Sequence, residues 1–109
     1  MIMKKVNFEN WKKSLKEKTI NLKEKIDEDF THAFVWGYLE ELFTLEMQIK
    51  LLEGFNDMSV EETKTALQEM LFSRLPLRTS SSASYNRADE LIVNAISQLI
   101  NNIVWYAEY

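Results

Sequence analysis

The sequence is short of several residue types that support specific chemistries: its 109 residues include no cysteine, one proline, two glycines and one histidine. Without cysteine the chain has no disulfide, no thiol nucleophile and no thiolate metal site. Two glycines cannot build a glycine-rich phosphate loop. Because glycine and proline are the main interrupters of regular structure, their scarcity also favours long helices joined by few turns.

Catalytic residues are equally scarce. Acid–base and nucleophilic catalysis depend on positioned groups that most often include histidine, cysteine or paired carboxylates. The only histidine, His32, has no serine or cysteine nucleophile obviously associated with it. Di-iron and di-manganese sites in helical bundles use a Glu-x-x-His pair from each of two helices, and no Glu-x-x-His occurs in the sequence. We therefore expect no enzymatic activity, no metal and no cofactor.

Length and composition indicate one globular domain spanning residues 1–109. The hydrophobic fraction is 46% and the charged fraction 28%, a balance typical of a folded domain rather than of a disordered chain. The opening segment MIMKKVNF is followed by NWKKSLKEK rather than by an apolar run. This pattern predicts neither a secretory signal nor a membrane span, so a cytoplasmic protein without membrane association is expected.

Charge is distributed unevenly along the chain, whose net charge is −4. Residues 1–26 carry eight lysines against three acids, and residues 27–109 carry five basic residues against fourteen acids. The lysines could bind nucleic acid, but the aromatic residues among them, Phe8 and Trp11, fall on the apolar stripe of their helix. The acidic remainder of the chain would also repel phosphates, so nucleic-acid binding is not expected.

Apolar spacing is helical almost throughout and predicts an all-α, antiparallel four-helix bundle. The predicted helices span about residues 8–26, 30–55, 59–75 and 86–107, with a serine-rich loop over about 77–86. Ser59 and Glu62 form a capping-box pattern at the start of the third helix, which Pro76 ends. Gly54 is a candidate carboxy-terminal cap of the second helix, and Asn86 a candidate amino-terminal cap of the fourth.

The second predicted helix has two apolar stripes instead of one, which predicts burial against more than one neighbour. One stripe comprises Phe34, Val35, Tyr38, Leu42, Leu45, Ile49 and Leu52. The other comprises Ala33, Trp36, Phe43, Met47 and Leu51. Two polar strips separate the stripes, one with Gly37, Glu41, Thr44 and Gln48 and the other with His32, Glu46, Lys50 and Glu53.

Trp36, Phe43 and Met47 form a ridge of the kind that supplies anchors at protein interfaces. We consider two interpretations of this ridge. If the helix is central in the bundle, the ridge is part of the core. If the ridge faces solvent, it is a docking site or a dimer interface, because monomers seldom expose a large apolar patch.

The last predicted helix has a second candidate surface with no charged residue. It comprises Asn94, Gln98 and Asn101, with Ser97 among them and Trp105 beside them. Uncharged amides next to a tryptophan suit a desolvated contact. The alternative is an ordinary polar helix surface with Trp105 folded back onto the bundle.

Acidic residues concentrate between residues 27 and 62, and five of them are candidates for contacting a basic protein: Glu40, Glu41, Glu46, Glu61 and Glu62. Complementary charge speeds protein association. The sequence therefore favours a protein-binding module, such as a toxin-immunity protein or a phage-type inhibitor that covers a basic surface.

Two other functions remain open. One is a structural or regulatory bundle that dimerises through the ridge. The other is an anion-binding protein that uses Arg74, Arg78 and Arg87 near the serine-rich loop, because guanidinium groups bind phosphate and carboxylate in a forked geometry.

Overall fold

The computed structural model describes residues 4–28, 35–74 and 87–108, without the side chains of residues 74, 87 and 88. Four helices pack against each other in a small bundle, as the sequence predicts. They are α1 (Phe8–Glu28), α2 (Val35–Leu52), α3 (Val60–Arg74) and α4 (Arg87–Asn102). A 3-10 helix (Ile103–Tyr106) follows α4, and two short strands, β1 (Lys5–Val6) and β2 (Ala107–Glu108), pair near the termini.

Helix α1 buries the apolar stripe that its spacing predicts. The buried side chains are Phe8, Trp11, Leu15, Thr19, Leu22 and Ile26. Thr19 is tolerated within this stripe because its hydroxyl donates a hydrogen bond to the carbonyl of Leu15 (2.9 Å), which satisfies the polar group inside its own helix. The exposed side of α1 carries most of its lysines, as the amphipathic pattern predicts.

Side chains cap the starts of two helices. The capping box at α3 is confirmed: the Glu62 amide donates to Ser59 Oγ (3.1 Å), and the Ser59 amide donates to Glu62 Oε1 (3.2 Å). At α1, the Asn10 amide donates to Asn7 Oδ1 (3.0 Å). These three hydrogen bonds satisfy backbone amides at the helix starts, which have no partner within the helix.

Helix α2 ends earlier than predicted, and Gly54 does not form the expected left-handed cap. The helix ends at Leu52 and tightens into a turn in which the Gly54 amide donates to the Leu51 carbonyl (3.3 Å) and the Phe55 amide donates to the Leu52 carbonyl (3.0 Å). Gly54 has no positive φ, and the left-handed residue is Asp57, with φ of 49°. The left-handed residue therefore comes three positions after the glycine. Phe30 and the other residues of the predicted start, 29–34, lie outside the described residues.

The prediction of one α-helix from 86 to 107 is wrong at its carboxy-terminal end. After Asn102 the chain forms the 3-10 helix, and Ala107 and Glu108 then pair antiparallel with β1. The Asn7 amide donates to the Tyr106 carbonyl (2.8 Å). These partners lie about a hundred residues away in sequence, so no local period could reveal them.

The helices pack in the order α1, α2, α4, α3, so that α2 and α4 are central. Helices α1 and α2 are antiparallel, because Lys25 lies over the ring of Tyr38 (5.3 Å) while Phe8, at the other end of α1, contacts Phe55 (6.0 Å between ring centroids). Helix α4 ends beside the start of α1, where Tyr106 stacks on Trp11 (5.1 Å). The central helices α2 and α4 therefore run in the same direction.

One end of the bundle is closed by an aromatic cluster and a short sheet. The cluster is a row of four rings from three separate segments of the chain. Phe55 contacts Phe8, Phe8 contacts Trp11, and Trp11 contacts Tyr106. Beside them, β1 is bonded on both sides: it pairs with β2, and the Val6 amide donates to the carbonyl of Met58 (3.1 Å). The Val60 amide also donates to the carbonyl of Lys4 (2.9 Å). This end joins residues 4–6 and 107–108 to the start of α3.

Candidate protein-binding surfaces

The contact between α2 and α4 uses a polar strip of α2 that the sequence places between two apolar stripes. Thr44 and Gln48 are buried, and the Thr44 hydroxyl donates to the carbonyl of Glu40 (3.0 Å). Gln48 Nε2 donates to the carbonyl of Ala95 (3.3 Å) and to Gln98 Oε1 (2.8 Å). Buried amides are stable when they are bonded in this way. The second neighbour of α2 is therefore reached through this polar strip.

The ridge on α2 consequently lies on the side away from α4. Trp36 is 75% exposed and Phe43 is 36% exposed, while Met47 is partly buried. The interpretation of the ridge as core therefore does not hold for Trp36. Leu39 is also exposed, and 100° steps place it on the same side of the helix. Leu39 falls outside both apolar stripes that the sequence predicts, so it was not among the candidate residues.

The acidic residues of α2 lie close to lysines of α1. Glu46 Oε1 is 3.6 Å from Lys23 Nζ, and Glu41 lines a shallow groove with Lys18 and Lys25. Exposed pairs of this kind contribute little stability, but they offset part of the negative charge that the sequence assigns to this helix. The lysines of α1 thus complement the acidic body.

The other predicted acidic residues belong to a separate surface on α3. Glu61 and Glu62 line an open groove with Glu69, together with Met58, Thr65 and Ala66. Glu62 also serves the capping box. Because α4 lies between α2 and α3 in the packing order, the five acidic candidates are divided between two surfaces and do not form one continuous patch.

The uncharged surface of α4 faces solvent. Asn94, Asn101 and Gln98 are exposed, and Gln98 uses its side-chain oxygen to accept the bond from Gln48. Trp105 is 77% exposed, so it is not folded back onto the bundle. Four uncharged side chains of α4 and the following 3-10 helix are therefore exposed, and we refer to Asn94, Gln98, Asn101 and Trp105 together as the neutral face.

Several candidates lie wholly or partly outside the described residues. These are His32, Arg78, the serine-rich loop and Asn86, together with the side chains of Arg74 and Arg87. The anion-binding hypothesis therefore stays a prediction. Among the residues that the structure describes, no group of three or more histidine, cysteine, aspartate or glutamate side chains is placed to hold a metal ion.

Comparisons with known proteins find no match: no protein-family model, no curated protein and no solved structure is similar to this chain. Within the described ranges, no helix is long and apolar enough to cross a membrane.

Proposed function

We propose that this protein is a protein-binding module that acts as a stoichiometric inhibitor, in the manner of a toxin-immunity protein or a phage-type inhibitor. Its partner presents a basic surface. The observation that carries the proposal is the ridge on α2, where Trp36 is 75% exposed on a helix whose opposite side is packed against two neighbours.

The ridge has the spacing of a helix that docks in a groove or receives another helix. Together with the exposed Leu39, the ridge residues recur along α2 at intervals of three and four residues: Trp36, Leu39, Phe43 and Met47. This spacing is the anchor pattern of helix recognition. Tryptophan is enriched among the residues that dominate binding energy, because a large rigid side chain is desolvated at little entropic cost. The ridge would therefore supply most of the affinity.

Charge favours a basic partner. Between residues 35 and 49, α2 contains Glu40, Glu41 and Glu46 and no lysine or arginine. Because Glu41 and Glu46 lie beside lysines of α1, the net negative charge on this surface of α2 is moderate. Charges at the edge of an interface act mainly on the association rate and its salt dependence. We expect acidic residues to guide the encounter and the ridge to hold the complex.

The experiment is capture of the partner from the native host, followed by titration of the purified partner in a calorimeter. One partner molecule should bind per chain. Trp36→Ala should weaken binding by about tenfold or more, as is typical of an interface anchor. Changing Glu40 and Glu41 together to lysine should slow association and reduce its dependence on salt.

The matched control changes two exposed glutamates of α1, Glu17 and Glu24, to lysine. Both double variants change the net charge equally, so only the α2 pair should affect binding if location matters. Binding that ignores salt, or that survives Trp36→Ala unchanged, would contradict the proposal. A tight homodimer that buries Trp36 would favour the self-associating alternative instead.

A further inference from the structure

The neutral face of α4 differs from the rest of the exposed surface in its lack of charge. Residues 91–107 contain no lysine, arginine, aspartate or glutamate, although Asn94, Gln98, Asn101 and Trp105 are all exposed. Val104, next to Trp105, is exposed as well. The nearest acid beyond them, Glu108, accepts a hydrogen bond from Asn7 Nδ2 (2.8 Å). A solvated helix face usually carries charged residues, so this composition needs an explanation.

Trp105 lies between residues that are packed or paired with other segments of the chain. On one side Ile103 is buried. On the other side Tyr106 stacks on Trp11, with an angle of 8° between the rings, and Ala107 is paired with Val6. The exposure of Trp105 is therefore a property of the folded structure and not of a frayed terminus. An exposed tryptophan with an ordered backbone loses little entropy when it is buried by a partner.

We propose that the neutral face is the interface of a homodimer, with a second copy of this chain as its occupant. In a twofold interface the same patch meets itself, so residues near the axis contact their own copies. Like charges would repel there. Asparagine and glutamine amides each carry a donor and an acceptor, so they can bond to an identical group, and Trp105 can pack on the partner's surface.

Charge disfavours the α2 ridge as the surface on which two copies of the chain meet. Pairing the α2 ridge with a copy of itself would bring together two sets of Glu40, Glu41 and Glu46, and the α1 lysines beside Glu41 and Glu46 offset that charge only in part. Residues 91–107 carry no charged side chain, so two copies that meet on the neutral face bring no like charges of that segment together. The two surfaces thus suit different partners.

The available area fits a small dimer interface. Trp105 exposes roughly 190 Å², which is 77% of a side chain of about 250 Å². With Val104 and the three amides, each copy would bury on the order of 600 Å², near the lower limit of specific interfaces. We therefore expect a reversible rather than a permanent dimer.

Sedimentation equilibrium of the full chain over a wide concentration range tests the proposal. The chain should dimerise, and Trp105→Ala should weaken dimerisation by about tenfold or more. Changing Asn94 and Asn101 together to aspartate should weaken it similarly, because carboxylates of two copies would meet. Changing the same pair to lysine should do the same, and mixing the acidic and basic variants should restore a dimer through opposite charges.

The matched control changes Asn10 and Asn21, which are exposed on α1, to aspartate. It adds the same charge elsewhere and should leave dimerisation unchanged. Circular dichroism checks that each variant stays folded. The proposal is overturned by a wild-type chain that stays monomeric, by a dimer that tolerates both charge variants, by mixtures that fail to associate, or by a dimer that Trp36→Ala dissociates and Trp105→Ala does not.

Discussion

Replacing Gln48 tests how α2 and α4 are held together. This side chain is only 2% exposed, and it donates hydrogen bonds to the Ala95 carbonyl and to Gln98 Oε1. Gln48→Ala removes both bonds and leaves space between the two central helices. Gln48→Met keeps the approximate volume and removes only the bonds, so the pair of variants separates hydrogen bonding from packing.

The expected costs follow from these contacts. Two neutral hydrogen bonds contribute about 1 kcal/mol each, and the lost carbon and residual cavity add about 1 kcal/mol. Gln48→Ala should therefore lower the free energy of unfolding by about 3 kcal/mol. Gln48→Met should lower it by about 1 kcal/mol, because an apolar contact offsets part of the loss. Gln98→Ala should also cost about 1 kcal/mol, since Gln48 keeps its bond to Ala95.

Urea denaturation followed by circular dichroism measures these differences, and the double variant of Gln48 and Gln98 completes a cycle. The coupling energy between the two side chains should be about 1 kcal/mol. In thermal unfolding, Gln48→Ala should lower Tm by on the order of 15 °C.

A cost below about 0.5 kcal/mol for Gln48→Ala would refute the reasoning, because surface substitutions usually have effects of that size. It would mean that Gln48 faces solvent and that α4 packs on another side of α2. No coupling with Gln98 would show that the amide bond between the helices is not formed.

Two further predictions concern α3 and use the same denaturation assay. Ser59→Ala should lower the free energy of unfolding by about 1 kcal/mol, because it leaves the Glu62 amide without its capping partner; an effect near zero would mean that solvent caps the helix equally well. Leu67→Ala should cost about 2–5 kcal/mol because Leu67 is fully buried, whereas Phe72→Ala, at an exposed position of the same helix, should stay within about 0.5 kcal/mol. Similar costs for the two would contradict the packing of α3.

Sequence reasoning succeeds best for α1, and the reason is its position in the bundle. This outer helix packs mainly on one neighbour, so a single apolar stripe describes its burial and a threonine within it bonds to its own backbone. The start of α3 was predictable for a similar reason, since Ser59 and Glu62 form a local motif that needs no distant partner.

Helix α2 shows where such reasoning fails. Two apolar stripes predicted burial of each stripe against its own neighbour, and α2 does have two neighbours. The prediction is wrong for the second stripe, because α4 packs on the side of Thr44 and Gln48 and Trp36 stays exposed. The hydropathy of a residue does not reveal whether its side chain finds a hydrogen-bond partner in the folded state. Gln48 is buried because Gln98 and the Ala95 carbonyl of another helix satisfy its amide.

The sequence by itself determined the all-α class and the approximate limits of the helices, because these depend on periodicity and local capping. Only the tertiary structure decided the order of packing, the pairing of β1 with β2 and the exposure of Trp36 and Trp105. These features depend on contacts between residues that are far apart in the chain. The helical period predicts which side chains share a face of the helix. Which of those faces is buried depends on where the neighbouring helices pack.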